Sequence, residues 1–261
     1  MLPIQELDER VAQSVELVLT DIDDTLTTEG KLEADAYGAL WDLQRAGVDV
    51  VVVTGRPAGW CDLIARHWPV AGVVGENGAL AFWEHGGSLQ RLYHPSAVAD
   101  ANRLDDLKTK ILRAVPGSRV SKDQFARMFD LAIDFCEEPP DLGMEAADAI
   151  LAQFEQAGAR AKVSSIHVNG WFGDYDKLSM VELFVAKVFG SSVAASMAQS
   201  AVFCGDSPND EPMFRYFDHA VGVRNFEMFA QQCDHCPRYI TDNAGGAGFA
   251  ELVDVLLAGR G

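Results

Sequence analysis

The sequence has few basic residues for its length. Of its 261 residues, 21 are Lys or Arg and 39 are Asp or Glu, which gives a net charge of −18 and an isoelectric point near 4.6. A surface this acidic repels polyanions, so we do not expect nucleic acid as a partner. The sequence also contains no apolar run of the roughly 20 residues that a membrane-spanning helix needs. We therefore expect a globular protein that binds neither nucleic acid nor membranes.

A secretory signal is also lacking, because the first residues have neither a basic start nor an apolar stretch, and we expect a cytoplasmic protein. Five scattered cysteines are an odd number for a disulfide framework and favour reduced thiols. Cys233 and Cys236 have the spacing of half a zinc site, but a closed site needs four ligands and there is no second pair. We favour structural or incidental cysteines, with a metal or redox role for this pair as the alternative. The five are Cys61, Cys136, Cys204, Cys233 and Cys236.

The first third of the sequence alternates between two kinds of segment. Short apolar, β-branched runs are typical of buried parallel strands, and segments with helical spacing separate them. The predicted strands are 15–20, 48–53 and 70–74, and the predicted helices between them are 34–46 and 57–67. This alternation predicts an α/β fold with an open, Rossmann-like parallel sheet.

A different pattern interrupts the alternation from residue 83 to residue 175. Longer, more amphipathic strands at 127–135 and 162–168 accompany helices at 99–114 and 144–157, which indicates a compact α+β unit. The parallel pattern then resumes, with helices at 178–189, up to residue 217, after residue 225 and at 249–257, and strands at 201–204, 220–223 and 239–241. We predict a core domain of residues 1–82 and 176–261, with residues 83–175 as an inserted domain.

Polar residues follow three of the predicted strands. The three segments are Asp21-Ile-Asp23-Asp24-Thr25, Thr54-Gly55-Arg56 and Asp206-Ser-Pro-Asn209-Asp210. Each segment alone also fits a turn or a helix cap. In a parallel sheet, however, the carboxyl ends of the strands form one crevice, where ligands bind. Carboxylates that lack basic neighbours repel one another there unless a divalent cation is bound, and oxygen ligands favour Mg²⁺.

These segments resemble, in order, the loop motifs of the haloacid dehalogenase superfamily. Residues 17–27 are similar to the first motif, 51–56 to the second, Lys177 to the third and 205–210 to the fourth. An insertion between the second and third motifs matches the C2-capped branch. The triplet at 77–79 and the segment 220–225 resemble its subfamily IIB, which includes Cof-type, sucrose-phosphatase-like and phosphomannomutase-like enzymes. The resemblance implies a Rossmann-like core with a C2-type cap, residues 83–175, that sets substrate specificity.

The resemblance also implies four catalytic residues. Asp21 would attack a phosphate monoester and form an aspartyl-phosphate. Asp23 would protonate the leaving alkoxide and then activate water. Thr54 would donate its hydroxyl to a phosphoryl oxygen, and Lys177 would neutralise charge on the transferred group.

Ligand-binding roles follow from the same resemblance. The residues implied to hold Mg²⁺ are Asp21, Asp23 through its main-chain carbonyl, Asp206, and Asp210 directly or through water. The residues implied or expected to contact the substrate are Thr54, Gly55, Arg56 and Asn209, with Arg127 of the cap gripping a second anionic group. Further candidate cap contacts are Lys122, His167, Asn169, Trp171 and Tyr175, for which packing is the alternative.

Some positions depart from the family pattern or allow a second interpretation. Asp24 stands where the family usually has Gly, and we interpret it as a turn or helix cap that points outward. Leu178 follows Lys177 where Gly is frequent, and a solvated lysine at a helix start is the alternative for Lys177. Lys162 and Lys187 are weaker rivals for the third motif. Arg56 is equally compatible with a loop salt bridge. The glycines at 245–248 are interpreted as a lead into the last helix.

The sequence thus predicts a Mg²⁺-dependent phosphatase, a monomer or homodimer, that acts on small phosphorylated metabolites, sugar phosphates foremost. A phosphomutase on the same scaffold is one alternative. A non-catalytic sugar-phosphate-binding protein is another, although a binder needs neither a nucleophile nor an acid–base residue.

Overall fold

The structure is a computed structural model that describes residues 1–260. Its strands are, in chain order, β1 (Leu2–Pro3), β2 (Leu17–Thr20), β3 (Thr27–Thr28), β4 (Lys31–Leu32), β5 (Asp49–Val53), β6 (Gly72–Gly75), β7 (Leu80–His85), β8 (Ser88–Tyr93), β9 (Arg119–Val120), β10 (Asp130–Asp134), β11 (Arg160–Val163), β12 (His167–Trp171), β13 (Ala201–Gly205), β14 (His219–Gly222) and β15 (Tyr239–Ile240). Its α-helices are α1 (Glu9–Ser14), α2 (Ala34–Arg45), α3 (Ala58–His67), α4 (Ala101–Ala114), α5 (Gly143–Gln156), α6 (Lys177–Val188), α7 (Ser191–Ser200), α8 (Glu211–Tyr216) and α9 (Gly245–Ala258). None of the helices within residues 1–260 is long and apolar enough to cross a membrane.

One large sheet organises the core. Its strand order is β1-β15-β14-β13-β2-β5-β6-β7-β8. The strands from β1 to β6 in this order pair in parallel, and β7 and β8 are added antiparallel at one edge. The predicted α/β fold with a parallel sheet is confirmed.

The central strands are buried on both faces because their side chains alternate between two apolar cores. Val18 and Val52 belong to a cluster that includes Leu40 of α2 and Leu252 of α9. Leu19, next to Val18, belongs to a second cluster on the opposite face, which includes side chains of α6, α7 and α8. Helices therefore cover both faces, and the sheet's edge at the carboxyl ends of its strands remains for the site.

The inserted cap has its own core. Its four-stranded antiparallel sheet has the order β11-β12-β10-β9. Ile111 of α4 and Phe154 of α5 pack with Leu131 of β10 and Val168 of β12 in a cluster separate from those of the large sheet.

The pairing of residues 83–93 bears on where the predicted cap begins. Residues 83–93 belong to the β7–β8 hairpin, which pairs with β6 of the core sheet. Gly86 and Gly87, both with positive φ, form its turn. We propose that the cap begins after Tyr93 rather than at residue 83, and that residues 94–175 form it.

Some local elements differ from the sequence prediction. The predicted strand 162–168 is a hairpin of β11 and β12, because Ser164 Oγ accepts hydrogen bonds from the amides of Ile166 and His167 and turns the chain. The strand predicted at 127–135 is shorter, since a 3-10 turn precedes it. Helix α7 was not predicted, α9 begins four residues early, and a 3-10 helix replaces the helix expected after residue 225.

Gly78 allows the chain to pass close to the start of α6. It has φ of +105°, and a Cβ atom there would lie 2.0 Å from the carbonyl oxygen of Asp176, which caps α6. We expect Gly78→Ala to lower the free energy of unfolding by at least about 3 kcal/mol, because it combines backbone strain with overpacking against backbone. Urea denaturation monitored by circular dichroism measures the change.

Gly86→Ala is the matched control. Gly86 also has positive φ, +59°, but nothing lies within 4 Å of the position of a Cβ atom. This variant should lower the free energy of unfolding by only about 1 kcal/mol, because only the backbone conformation is unfavourable. Equal losses in the two variants would contradict the close approach at Gly78.

Candidate active site

The polar segments predicted from the sequence meet at one edge of the sheet. Asp21, Thr54 and Asp206 follow β2, β5 and β13, which are neighbours in the sheet. The amide of Asp21 donates to the carbonyl of Cys204 at 3.0 Å, so the pairing of β2 with β13 continues to the site. All three side chains are buried, with exposures of 4% or less.

Lys177 is inserted among these carboxylates. It is the first residue of α6, and a capping box between Asp176 and Ser179 fixes the start of the helix. Its Nζ lies 2.7 Å from Asp210 Oδ1 and 3.1 Å from Asp21 Oδ1, and its side chain is 3% exposed. The burial excludes the solvated alternative for Lys177. The rival Lys162 lies on β11 and lines a separate surface cavity.

The carboxylates of Asp21, Asp206 and Asp210 form a compact cluster. Each offers an oxygen atom, and the three atoms lie within 4.8 Å of one another. Asp206 Oδ2 is buried and has no hydrogen-bond partner among residues 1–260. Three carboxylates beside one ammonium leave negative charge uncompensated, so this all-oxygen set fits a divalent cation such as Mg²⁺.

The electrostatics of the cluster support the same conclusion. Burial raises the pKa of Asp21 to about 8, and Asp210 and Asp23 contribute, although Lys177 lowers it. Burial and Asp210 also raise the pKa of Asp206 well above its usual value. Burial works against the charge of Lys177, but Asp21 and Asp210 outweigh it and raise its pKa. Asp21 and Asp206 thus favour protons or a cation, while the lysine stays charged.

Asp23 is held by a side chain from the second motif. Arg56 donates to it through Nε, 2.9 Å from Oδ2, and through Nη2, 2.7 Å from Oδ1. The other side of the guanidinium faces Asp123 and Glu137 of the cap. Of the two interpretations of Arg56, the structure shows the salt bridge; contact with substrate stays a prediction.

Arg127 does not have the free guanidinium that its predicted role needs. Its side chain is 1% exposed and donates to the carbonyl of Gly55 at 2.8 Å and to Asp130 at 3.0 Å. Asp123 occupies its remaining donors. Arg127 therefore ties the cap to the second motif; it also lines the small cavity beside Asp21 and Asp23, and contact with an anionic substrate group stays a prediction.

The other candidate cap residues divide into two groups. His167 and Asn169 line a small cavity above Asp21 and Asp23, which Asn209 also reaches from the fourth motif. The remaining three lie elsewhere: Trp171 stacks on Tyr175 in the interior, and Lys122 is exposed and pairs with Glu138.

Thr54 and Asp24 show how the loops are shaped. Thr54 Oγ1 accepts the amide of Arg56 at 3.0 Å, which turns the chain after β5. Asp24 has φ of +55°, a conformation that favours glycine and explains the usual residue at this position. It does not point outward as predicted: its side chain is half-buried beside Ser165 of the cap, and burial raises its pKa.

Glu76, which the sequence analysis did not select, connects the two domains. Its carboxylate accepts the amides of Ala58 in the core at 2.9 Å, and of Met128 and Phe129 in the cap at 2.9 Å and 2.7 Å. It is fully buried, and burial with the neighbouring Asp130 raises its pKa to about 7. Its position beside the triplet 77–79 is the only sequence signal.

A cavity of about 450 Å³ lies between core and cap and reaches the acidic cluster. Asp206 lines it, as do Asp24 and Ser165, which lie beside each other where core and cap meet. Cys136, Met144 and Phe229 supply apolar surface. It is large enough for the organic part of a small phosphorylated compound.

The fold and the site combine a parallel-sheet core, a buried cluster of carboxylates at the strand ends and an inserted α+β unit with its own sheet. Comparison with known proteins agrees. Residues 18–104 match the family described as haloacid dehalogenase-like hydrolase. This match agrees with the resemblance that the sequence motifs predicted.

Individual relatives extend over nearly the whole chain. Phosphoglycolate phosphatase 1 of Saccharolobus solfataricus is 25% identical over 255 residues, which are 94% of this chain and 97% of the relative. The C-terminal domain of trehalose-6-phosphate phosphatase from C. albicans superposes with a TM-score of 0.71 at 16% identity and covers 99% of this chain and 98% of that one. Sucrose-phosphatase from Synechocystis sp. PCC6803 gives 0.63 at 16% identity, with coverages of 94% and 98%. The prediction of an enzyme of the phosphatase type is confirmed.

The raised pKa values predict how the cation-free protein responds to pH. Between pH 3.8 and about 8, the usual and the folded pKa of Asp21, the folded state keeps a proton on this carboxyl group that the unfolded state has released. In EDTA, the contribution of Asp21 to stability is therefore lost as pH rises through that window. Mg²⁺ should reverse the loss at about pH 8, by about 2.7 kcal/mol at a hundred times its dissociation constant. Thermal unfolding at about pH 5.5 and pH 8, with EDTA or Mg²⁺, measures both effects.

Asp206→Asn should remove most of the response to Mg²⁺, because it takes away one of the three buried carboxylates. Asp42→Asn, at an exposed carboxylate on α2, is the control and should respond as the wild type does. A melting temperature of the wild type that Mg²⁺ does not change at either pH would contradict the assignment of this cluster.

Proposed function

We propose that the chain is a Mg²⁺-dependent phosphatase that hydrolyses phosphate monoesters of small metabolites, sugar phosphates foremost, through an aspartyl-phosphate. The observation that carries the proposal is the buried cluster of Asp21, Asp206 and Asp210 around Lys177, with Thr54 at the end of the adjacent strand. Bound Mg²⁺, held by these carboxylates, would supply positive charge to offset that of the phosphoryl oxygens.

In the first step, Asp21 attacks phosphorus and the ester bond to the leaving oxygen breaks. Asp23, two residues along the same loop, gives its proton to that oxygen, so the leaving group departs as an alcohol. Lys177 and the hydroxyl of Thr54 stabilise the charge on the transferred group by virtue of fixed, buried positions. The product of this step is a phosphorylated Asp21.

In the second step, Asp23 is a carboxylate and takes a proton from water. The water oxygen bonds to phosphorus, the acyl-phosphate bond breaks, and Asp21 is regenerated as a carboxylate. The paired donors of Arg56 suit this step, because they hold the Asp23 carboxylate in one orientation. Inorganic phosphate leaves, and Asp23 carries the proton for the next cycle.

The lining of the cavity between core and cap favours a substrate whose leaving group is neutral and polyhydroxylated. Asp24, Glu29, Asp141 and Asp206 line it, and none of the described lining residues is basic. A carboxylated leaving group such as glycolate would meet like charge there, whereas sugar hydroxyls can donate hydrogen bonds to these carboxylates. Among similar proteins, two are named as phosphatases of sugar phosphates and one of phosphoglycolate.

The deciding experiment is phosphate release from a panel of phosphorylated sugars, polyols and carboxylated alcohols. With Mg²⁺ we expect release from neutral sugar phosphates in preference to phosphoglycolate, and none in EDTA. Asp21→Asn should lower kcat by at least about 10³-fold, since it removes the nucleophile. Asp49→Asn, at the opposite end of the adjacent strand β5, is the matched control and should keep full activity.

The outcomes separate the alternatives. Turnover that needs a sugar bisphosphate activator would identify a phosphomutase. Binding of a sugar phosphate by both wild type and Asp21→Asn, with no turnover under either condition, would identify a binding protein. Equal activity of Asp21→Asn and wild type would refute the aspartyl-phosphate.

A further inference from the structure

Arg56 spans the interface between core and cap. Its Nε and Nη2 atoms donate to Asp23 of the core, and its Nη1 atom lies 3.1 Å from Glu137 Oε1 and 3.4 Å from Asp123 Oδ2 of the cap. The side chain is 7% exposed, and its guanidinium lies over the ring of Trp60 at 4.4 Å from the centroid. One rigid, planar group thus contacts both domains, and its orientation depends on their relative position.

Of the two cap carboxylates, Glu137 is the specific partner. Both oxygens of Asp123 are already engaged by Arg127, and one also accepts Ser121 Oγ. Glu137 Oε1 faces Arg56, while its Oε2 lies 2.8 Å from Nε2 of His167. The hydrogen bond with His167, assisted by Arg56, lowers the pKa of Glu137 to about 2, so it is charged at neutral pH.

We propose that Glu137 is a positioning residue of the cap that aligns Asp23 through Arg56. The inference rests on the proposed function, because it concerns the proton that Asp23 gives to the leaving group. Glu137 holds one edge of the guanidinium, which keeps the opposite edge, Nε and Nη2, in the plane of the Asp23 carboxylate. When the cap moves away, this support is lost, and Asp23 is correctly oriented only in the closed enzyme.

The backbone around Glu137 makes this support rigid. The amide of Glu137 donates to Asp134 Oδ1 at 2.8 Å, and Asp134 in turn accepts Nε of Arg119 at 3.1 Å. His167, on β12, fixes the carboxylate from the side opposite Arg56. A carboxylate held from two sides and through its own amide transmits the position of the cap sheet to Arg56.

The positioning role of Glu137 can be tested with a leaving group that departs without a proton. An alkoxide must be protonated as it departs, whereas p-nitrophenolate is stable as an anion and leaves without help from Asp23. Loss of alignment of Asp23 therefore lowers kcat/KM, which reports the steps up to departure of the leaving group, selectively for alkyl phosphates, whereas the later attack of water is common to both substrates. A general loss of structure slows both substrates equally.

The test compares Glu137→Gln with Glu138→Gln. The second variant is a matched control, because Glu138 is the adjacent cap carboxylate and pairs with the exposed Lys122 at the surface. With the best sugar phosphate from the panel, we expect Glu137→Gln to lower kcat/KM about tenfold, a part of what a general acid contributes. With p-nitrophenyl phosphate the loss should stay below about twofold. Glu138→Gln should match the wild type on both substrates.

A double variant separates alignment of Asp23 from any other effect. In an Asp23→Asn background, Glu137→Gln should cause no further loss on the sugar phosphate, because the group that it aligns is gone. Additive losses, or equal losses of Glu137→Gln on the two substrates, would overturn the proposal. If Glu137→Gln fails to fold by circular dichroism, Glu137→Asp, which keeps the charge but shortens its reach, replaces it with the same expected selectivity.

Failure of the proposed function is recognised independently. If the wild type releases phosphate from neither substrate, or if Asp21→Asn is as active as the wild type, the phosphatase mechanism fails and Glu137 has no proton transfer to support. If the wild type is active and Asp21→Asn is not, the mechanism stands, and the Glu137 variants decide the positioning role alone.

Discussion

The ammonium of Lys177, buried between Asp21 and Asp210, is the interaction on which the rest of the site depends. A lysine with 3% exposure is stable only where carboxylates compensate its charge, and here they come from two different strand ends. Parallel pairing of β2 and β13 places those ends side by side. The lysine itself arrives from α6, after the cap. The ion pairs of Lys177 therefore depend both on the order of the strands in the sheet and on the place in the chain where the cap is inserted.

Further charged side chains connect the cap to the core. Arg56 and Arg127 both lie at the interface, one pointing from the core to cap carboxylates and the other from the cap to the carbonyl of Gly55. Neither guanidinium is free in this structure. The interface is thus built from directional polar contacts, which specify one relative orientation of the domains and break cooperatively when that orientation changes.

The sequence was sufficient to predict those residues of the site whose positions follow from the order of the strands. Asp21, Thr54 and Asp206 stand directly after apolar strands, and parallel strands bring such residues together whatever the details of packing. Contacts across the cap depend instead on register and loop shape. Nothing in the spacing of Arg127 shows that Asp130 and the Gly55 carbonyl will take its donors, and Glu137 acquires its partners only when β10 and β12 pair. The spacing likewise does not show that the β7–β8 hairpin pairs with β6, which is a long-range choice.

Glu76 has a consequence for how freely the cap can turn. The chain enters the cap after β8 and leaves it before α6, and two covalent connections define an axis about which a rigid body can still swing. The carboxylate of Glu76, bound to the amides of Met128 and Phe129, adds a non-covalent attachment to these two connections. Together with the contacts of Arg56 and Arg127, this side chain restrains rotation of the cap about that axis, and a swing of the cap must release its hydrogen bonds.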